Sequence, residues 1–185
     1  MSVRDGLLAV LCLGEAYGLQ LHSELATRTP HRRAVNVGQI YSTLERLARS
    51  GLVEPAGTSV DSLPLYRLTE VGRAAANAWM TEPVLDGLPE WTEMLDQVLV
   101  TSSIDPVAAK TVAESYRRWW ERDLLTTRST VEPEFADARL ALVAREAQAV
   151  AAVAWLGSAI AALADFDSFR PLSDARPKRG RRARS

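Results

Sequence analysis

The sequence contains one cysteine, two histidines and, among 22 basic residues, only the lysines Lys110 and Lys178. A lone cysteine excludes a disulfide within the chain, and with His22 and His31 on separate predicted elements no ligand set for a zinc or similar site is left. Cys12 lies in the apolar run 7–13, where a buried, inert thiol is expected rather than a redox sensor. A Walker-type phosphate loop and a GxSxG nucleophile turn are both missing, and paired carboxylates occur only on acidic stretches that read as solvated. The chain is therefore read as neither an enzyme nor a cofactor binder. We find no apolar run reaching the roughly 18–20 residues that span a bilayer. The opening Met1-Ser2-Val3-Arg4-Asp5 has none of the parts of a secretory signal. The expectation is a soluble, cytoplasmic protein with no membrane partner.

What is present is enough apolar residue, 47% of the chain, to build a core, and 185 residues suit one ordinary domain or two small ones. The net charge of −1 conceals a division. Residues 1–80 hold eight Arg against seven acidic residues, 81–170 hold eight basic against fifteen acidic, and 171–185 hold six basic against Asp174 alone. An acidic middle repels phosphate, so any nucleic-acid surface belongs to the first segment, helped by the last.

Residues 3–13 read as a mostly apolar helix stopped by Gly14. A second helix opens near Gly18, runs through Leu21 and Leu25, and ends before Pro30. The loop His31-Arg32-Arg33 is basic. Asn36 is a suitable N-cap for a third helix over 37–50, which Gly51 closes. A short strand follows from Gly51-Leu52-Val53-Glu54, residues 57–64 suit a loop, and Leu65-Tyr66-Arg67-Leu68 suits a returning strand. A fourth helix begins near Thr69 and passes Ala76 and Trp79. Three helices, a hairpin and a further helix are the order of a winged helix-turn-helix over residues 1–82. Past Pro83 the chain reads as all helical to residue 170: a helix over 90–102, another opened by Asp105-Pro106 and carrying Tyr116, Trp119, Trp120 and Leu124 on one face, and a long Ala-rich helix over 133–166. Leu140, Val143, Ala147, Val150, Ala154 and then Trp155 or Leu156 supply its apolar stripe. Residues 171–185 have little to bury and read as a basic disordered tail. The fold class is mainly α with a small β-hairpin wing: a winged helix-turn-helix followed by an all-helical dimerisation domain.

At about 100° per residue, the third helix gathers Ile40, Leu44, Leu47 and Ala48 on one side and Gln39, Ser42, Thr43, Arg46 and Arg49 on the other. The first arc suits a core, while an amide, two hydroxyls and two guanidiniums suit base edges and phosphates. An amphipathic helix with a merely solvated polar face has the same pattern, and a winged helix that binds protein rather than DNA is the alternative reading.

In order, Leu7-Leu8-Ala9-Val10-Leu11, Ala16-Tyr17-Gly18, Gly38-Gln39-Ile40-Tyr41, Leu44-Glu45-Arg46-Leu47, Gly51-Leu52-Val53 and Tyr66-Arg67-Leu68-Thr69-Glu70-Val71-Gly72-Arg73 resemble the PadR family over residues 5–80. Two departures are Ser42, where the family often has Pro, and Asn36-Val37, where it often has Ser-Pro. The resemblance implies a dimeric, DNA-binding transcriptional regulator, generally a repressor, some relatives releasing DNA on binding a small molecule. On that footing Gln39, Ser42, Thr43 and Arg46 are assigned to the major groove, and Arg32, Arg33 and Arg49 to phosphates. Tyr41 is assigned to backbone contact or packing, and Thr58, Ser59 and Arg67 to the wing's reach toward the backbone. Trp79, Trp91, Trp119 and Trp120 are either a site for a small aromatic or cationic effector or large core residues. Trp155, Leu156, Ile160 and Leu163 are expected to join two copies in a homodimer on double-stranded operator DNA.

Overall fold

The computed structural model describes residues 3–31, 35–165 and 169–173. They divide into two compact units, with the boundary between Ala76 and Asn77 rather than at residue 82, and with residues from Arg170 onward grouped with the N-terminal unit.

In the N-terminal unit, α1 (Val3–Leu11) is apolar and buried from Gly6 to Leu11, so it forms the unit's centre. Around it pack α2 (Gly18–Arg28) and α3 (Val37–Arg49). Leu7, Leu8, Leu11, Leu21, Leu25, Ile40 and Leu44 are at most 2% exposed. Each such side chain contributes roughly 1.5–3 kcal/mol by leaving water. Asn36 caps α3 as its residue type suggests, its side-chain oxygen accepting from the Gly38 N–H at 2.7 Å. Gly51 ends the helix with φ +71°, a conformation costly for residues with a Cβ.

The sheet has one strand more than the sequence suggests. β1 (Ala16–Tyr17), β2 (Val53–Thr58) and β3 (Pro64–Leu68) pair antiparallel in the order β1-β3-β2. Ala16 lies opposite Tyr66 and Val53 opposite Leu68, and the β2–β3 register shifts between Pro55 and Thr58. From the sheet the chain enters α4 (Glu70–Thr81) through a fitted corner. Thr69 caps the helix, its hydroxyl accepting from the Gly72 N–H at 3.0 Å and donating to the Gly51 carbonyl at 2.7 Å. Gly72 lies so close to the Leu52 carbonyl oxygen that a Cβ there would come within 1.8 Å of it. The Thr-x-x-Gly sequence is thus a cap followed by a close backbone approach.

The second unit is built from α5 (Trp91–Ser102), α6 (Pro106–Arg128) and α7 (Ala136–Ala164). Glu90 caps α5 through bonds from Thr92 N (3.1 Å) and Glu93 N (2.7 Å), and Asp105 caps α6 through Ala108 N (2.9 Å). The core is Met94, Val98, Val112, Ala113, Tyr116, Trp120, Ala149, Ala152 and Leu156. Gln97 ties the segment before α5 to α6: its amide donates to the carbonyls of Trp79 and Glu82, and its oxygen accepts the Tyr116 hydroxyl at 2.6 Å. Arg145 of α7 forms a forked pair with Asp123 of α6.

Two expectations are corrected here. By length and composition α7 is long and apolar enough to cross a membrane, against the expectation of no such run; Gln148, Gly157 and Ser158 interrupt the apolar residues without adding charge. Residues 171–173 are not a loose beginning of the tail but lie against α2, where side chains of that helix bond their main chain. Residues 174–185 fall outside the described residues.

Candidate nucleic-acid interface

Placement of α3 decides which of its side chains can meet a ligand. Ile40, Leu44 and Leu47 are buried, while Gly38, Gln39, Ser42, Glu45, Arg46, Ala48 and Arg49 are exposed. Ala48, assigned to the core arc, is instead exposed. Thr43 is only 2% exposed, so its assignment to the major groove is corrected. Three residues from Ile40, it sits only about 60° from it around the helix, which puts it on the packed side of the polar arc. Its hydroxyl still serves the exposed face, accepting a hydrogen bond from an Arg46 guanidinium N–H at 3.1 Å. Thr43 therefore positions Arg46 instead of touching a base.

Ser42 is exposed, with its hydroxyl donating to the Gln39 carbonyl at 3.1 Å. Gln39 and Arg49 are exposed, and Glu45, which is not among the residues expected from the sequence, adds a carboxylate to the same face. Tyr41 is half-buried and its ring lies on Gly18, where a Cβ would come within 2.6 Å of the ring edge. The Tyr17-Gly18 and Ile40-Tyr41 pairs in the sequence are thus two sides of one contact. It sets α2 against α3, and packing is the role of Tyr41 that the structure displays.

The wing holds Thr58 exposed at the end of β2. Ser59 is used inside the turn: its N–H donates to the Leu63 carbonyl at 2.8 Å and its hydroxyl accepts from the Leu63 N–H at 3.1 Å. Arg67 lies between two carboxylates, Glu54 (2.8 Å) and Glu15 (3.7 Å), which offset its charge and hold its guanidinium on the sheet. The guanidinium is nonetheless half-exposed. Arg32 and Arg33 lie outside the described residues. His22 Nε2 donates to the Val35 carbonyl at 2.6 Å and so fixes the entry to α3. Burial pushes the Cys12 thiol up, with the Arg73 charge opposing, so the thiolate is disfavoured.

Among the tryptophans, Trp120 is fully buried and its indole N–H donates to the Met94 sulfur at 3.3 Å. It is a core residue, and its assignment to an effector site is corrected. Trp91 packs on Trp155 with ring centroids 6.2 Å apart, and Trp79 is half-buried. Trp119, edge-on to Trp120, lines a cleft of about 390 Å³ with Leu85, Arg122, Asp123 and Thr126. A neighbouring cleft of about 510 Å³ shares Leu85 and Arg122 and adds Ser115, Arg118, Glu121 and Leu125.

Leu156, expected at a dimer seam, is wholly buried within its own unit, and that assignment is corrected as well. Trp155 and Ile160 pack at the edge of the same core, and Leu163 is half-exposed. The face of α7 left open runs instead through Leu140 (69% exposed), Val143 (63%), Ala147, Val150 (44%) and Ala154.

Residues 7–78 match the model of the transcriptional regulator PadR-like family. Within the N-terminal unit, that segment is similar to the PadR-like family. Solved structures similar to the chain include Bacillus subtilis PadR in complex with operator DNA, with 19% identity over 88% of this chain and 99% of that one and a TM-score of 0.41. The PadR-like regulator BC1756 from Bacillus cereus gives 21% identity over 88% and 98%, TM-score 0.38. The Vibrio cholerae virulence activator AphA gives 17% over 88% and 98%, TM-score 0.38. No curated protein matches the chain in sequence. The PadR-like match runs from Leu7 within α1 to Ala78 within α4, so the exposed face of α3 lies wholly inside it.

Proposed function

We propose that the chain is a sequence-specific DNA-binding transcriptional regulator acting as a homodimer, with α3 as its recognition helix. The observation that carries this reading is the open face of α3 within the PadR-like segment. Gln39, Ser42 and Arg46 project where base edges would lie, and Arg49 in the last turn suits a phosphate. Arg46 is held by Thr43 in advance, which lowers the entropy lost on contact. Thr58 at the wing tip is a second contact to the duplex backbone.

The dimer seam in this reading is the open stripe of α7. Leu140, Val143, Ala147, Val150 and Ala154 follow alternating steps of three and four, the spacing that lets two helices pack along a seam. Effector relief of a repressor is the matching regulatory scheme, and the Trp119–Arg122 cleft suits a planar aromatic acid, its ring on indole and its carboxylate on guanidinium. Bacillus subtilis PadR has been solved with p-coumaric acid, which makes that compound the first to titrate.

The test is selection of bound duplexes from random DNA, followed by affinity measurement with Arg46→Ala. A two-point contact from Arg46 to guanine is worth about 1–3 kcal/mol, so the variant loses that much affinity and relaxes preference at one position per half-site. Unchanged affinity and preference would overturn the assignment of this face, and no enrichment of any sequence would favour a protein-binding winged helix.

A further inference from the structure

Gln20, Glu24 and Arg28 stand four residues apart and form one row along α2. Glu24 is 4% exposed and Arg28 3%, and the two form an ion pair. Their cover is the main chain of residues 170–173. Arg28 donates to the Arg170 carbonyl at 2.9 Å, Glu24 accepts the Ser173 N–H at 2.7 Å, and Gln20 donates to the Ser173 carbonyl at 2.9 Å. All three bonds go to main-chain groups. Leu172 adds a side-chain contact over Gly14, 3.7 Å from where a Cβ would stand. Arg170 meets the last turn of α2 and Ser173 meets Gln20 in its first turn. The segment therefore lies antiparallel along the helix and bridges its two ends.

A cover built this way differs from a piece of apolar core. Core side chains uncovered by a departing segment would lose their burial. Glu24 and Arg28, by contrast, would return to water still paired, with solvent bonds replacing the lost ones. The covered state also carries a residual cost. The buried Arg28 Nε has no hydrogen-bond partner among the described residues. Desolvation lowers the Arg28 pKa, with Glu24 pulling the other way. Three bonds favour docking and desolvation opposes it, so the segment is held without being locked.

We propose that the Gln20–Glu24–Arg28 row is a peptide-binding cradle whose ligand is the chain's own extended segment 170–173, docked reversibly. Seated, the segment splints α2; released, it leaves the helix looser and the ion pair hydrated. α2 also carries Gly18, on which Tyr41 of α3 rests, so the splinted helix is the one that sets α3. The inference is independent of what α3 binds.

Hydrogen exchange on the full-length chain tests this. The Ser173 amide is expected to exchange at least roughly ten-fold slower than in an unstructured peptide, yet faster than the Leu25 amide of α2, the mark of a local opening. Gln20→Ala and Ser173→Pro each remove one of the bonds at Ser173. Both are expected to speed exchange in α2 roughly ten-fold and to leave α5, α6 and α7 as in the wild type. Arg170→Ala keeps the carbonyl that Arg28 uses and is expected to change nothing. An amidated peptide of residues 169–173, added at the millimolar level that a short tether supplies, is expected to restore slow exchange to Ser173→Pro. It is expected to fail with Ser173→Pro combined with Gln20→Ala. An unprotected Ser173 amide overturns the proposal, as does unchanged α2 exchange in both single variants. A peptide without effect on Ser173→Pro shows that the row is no peptide site. A Ser173 amide protected as deeply as that of Leu25, or a Ser173→Pro chain whose N-terminal unit no longer folds, makes the segment fixed core and overturns reversible docking.

Discussion

At Gly72 a hydrogen in place of a methyl decides whether α4 can start where it does. A Cβ at that position would overlap the Leu52 carbonyl oxygen, a main-chain atom held by the Thr69 N–H at 3.1 Å, so nothing flexible can give way. Gly72→Ala is expected to destabilise the N-terminal unit by about 1–3 kcal/mol or more, as overpacking against rigid neighbours does. Urea denaturation checks this. Tyr116 gives a residue-scale prediction with a pH signature. Burial, aided by the negative charge of Glu93, pushes its phenol up to about 12 from an ordinary 10. A pKa raised in the folded state means the stability it contributes is whole below pH 10 and is lost as pH rises through 12. Tyr116→Phe removes the titrating group and leaves the Gln97 oxygen without its donor. It is expected to be weaker by about 1 kcal/mol below pH 10 and to lose stability less steeply above it. Unfolding measured at pH 8 and at pH 10.5 separates the two forms.

The helices are legible in the sequence to different degrees, for reasons that differ by element. α3 is plain because Asn36 and Gly51 mark its ends and its two faces differ in chemistry. Even so, Thr43 falls on the wrong side, since a residue at the edge of an arc is decided by a few degrees of packing. β1 has two residues, too few for any alternation to show, and exists only because β3 offers it a partner. α7 is the hardest to orient. Its residues are apolar or small on nearly every side, so period alone does not tell the core stripe of Ala149, Ala152 and Leu156 from the open stripe of Val143, Ala147 and Val150. The two stripes make opposite predictions. Val150→Asp is expected to leave the unit folded and yield monomers by light scattering at micromolar concentration. Leu156→Asp is expected to unfold the unit itself, because a carboxylate would be buried there without a partner. A Val150→Asp protein that remains dimeric would move the seam off this face.

For the molecule as a whole, charge along the chain marks a division: a near-neutral first segment rich in Arg, an acidic middle and a basic end. The compact units part at Ala76, a little earlier than the change of charge, because α4 runs across both points. The seating of residues 170–173 on α2 is not legible in the sequence, because nothing in Pro171-Leu172-Ser173 signals α2 as its neighbour; only the folded row of Gln20, Glu24 and Arg28 does. If two copies join through α7, each presents one α3, and the selected operator is expected to be an inverted repeat. Its half-sites should lie about one duplex turn, roughly 34–36 Å, or a multiple of it apart. Sequencing of selected duplexes measures both symmetry and spacing, and a single asymmetric half-site would contradict the dimer. The small sheet bears on this assembly from another direction. One of its edges is β1, only two residues long, and the other is β2, which carries Pro55 and a shifted register. Neither edge offers the run of free N–H and C=O groups on which a foreign strand could template itself. High local concentration of the protein therefore carries little hazard of cross-strand aggregation through the wing.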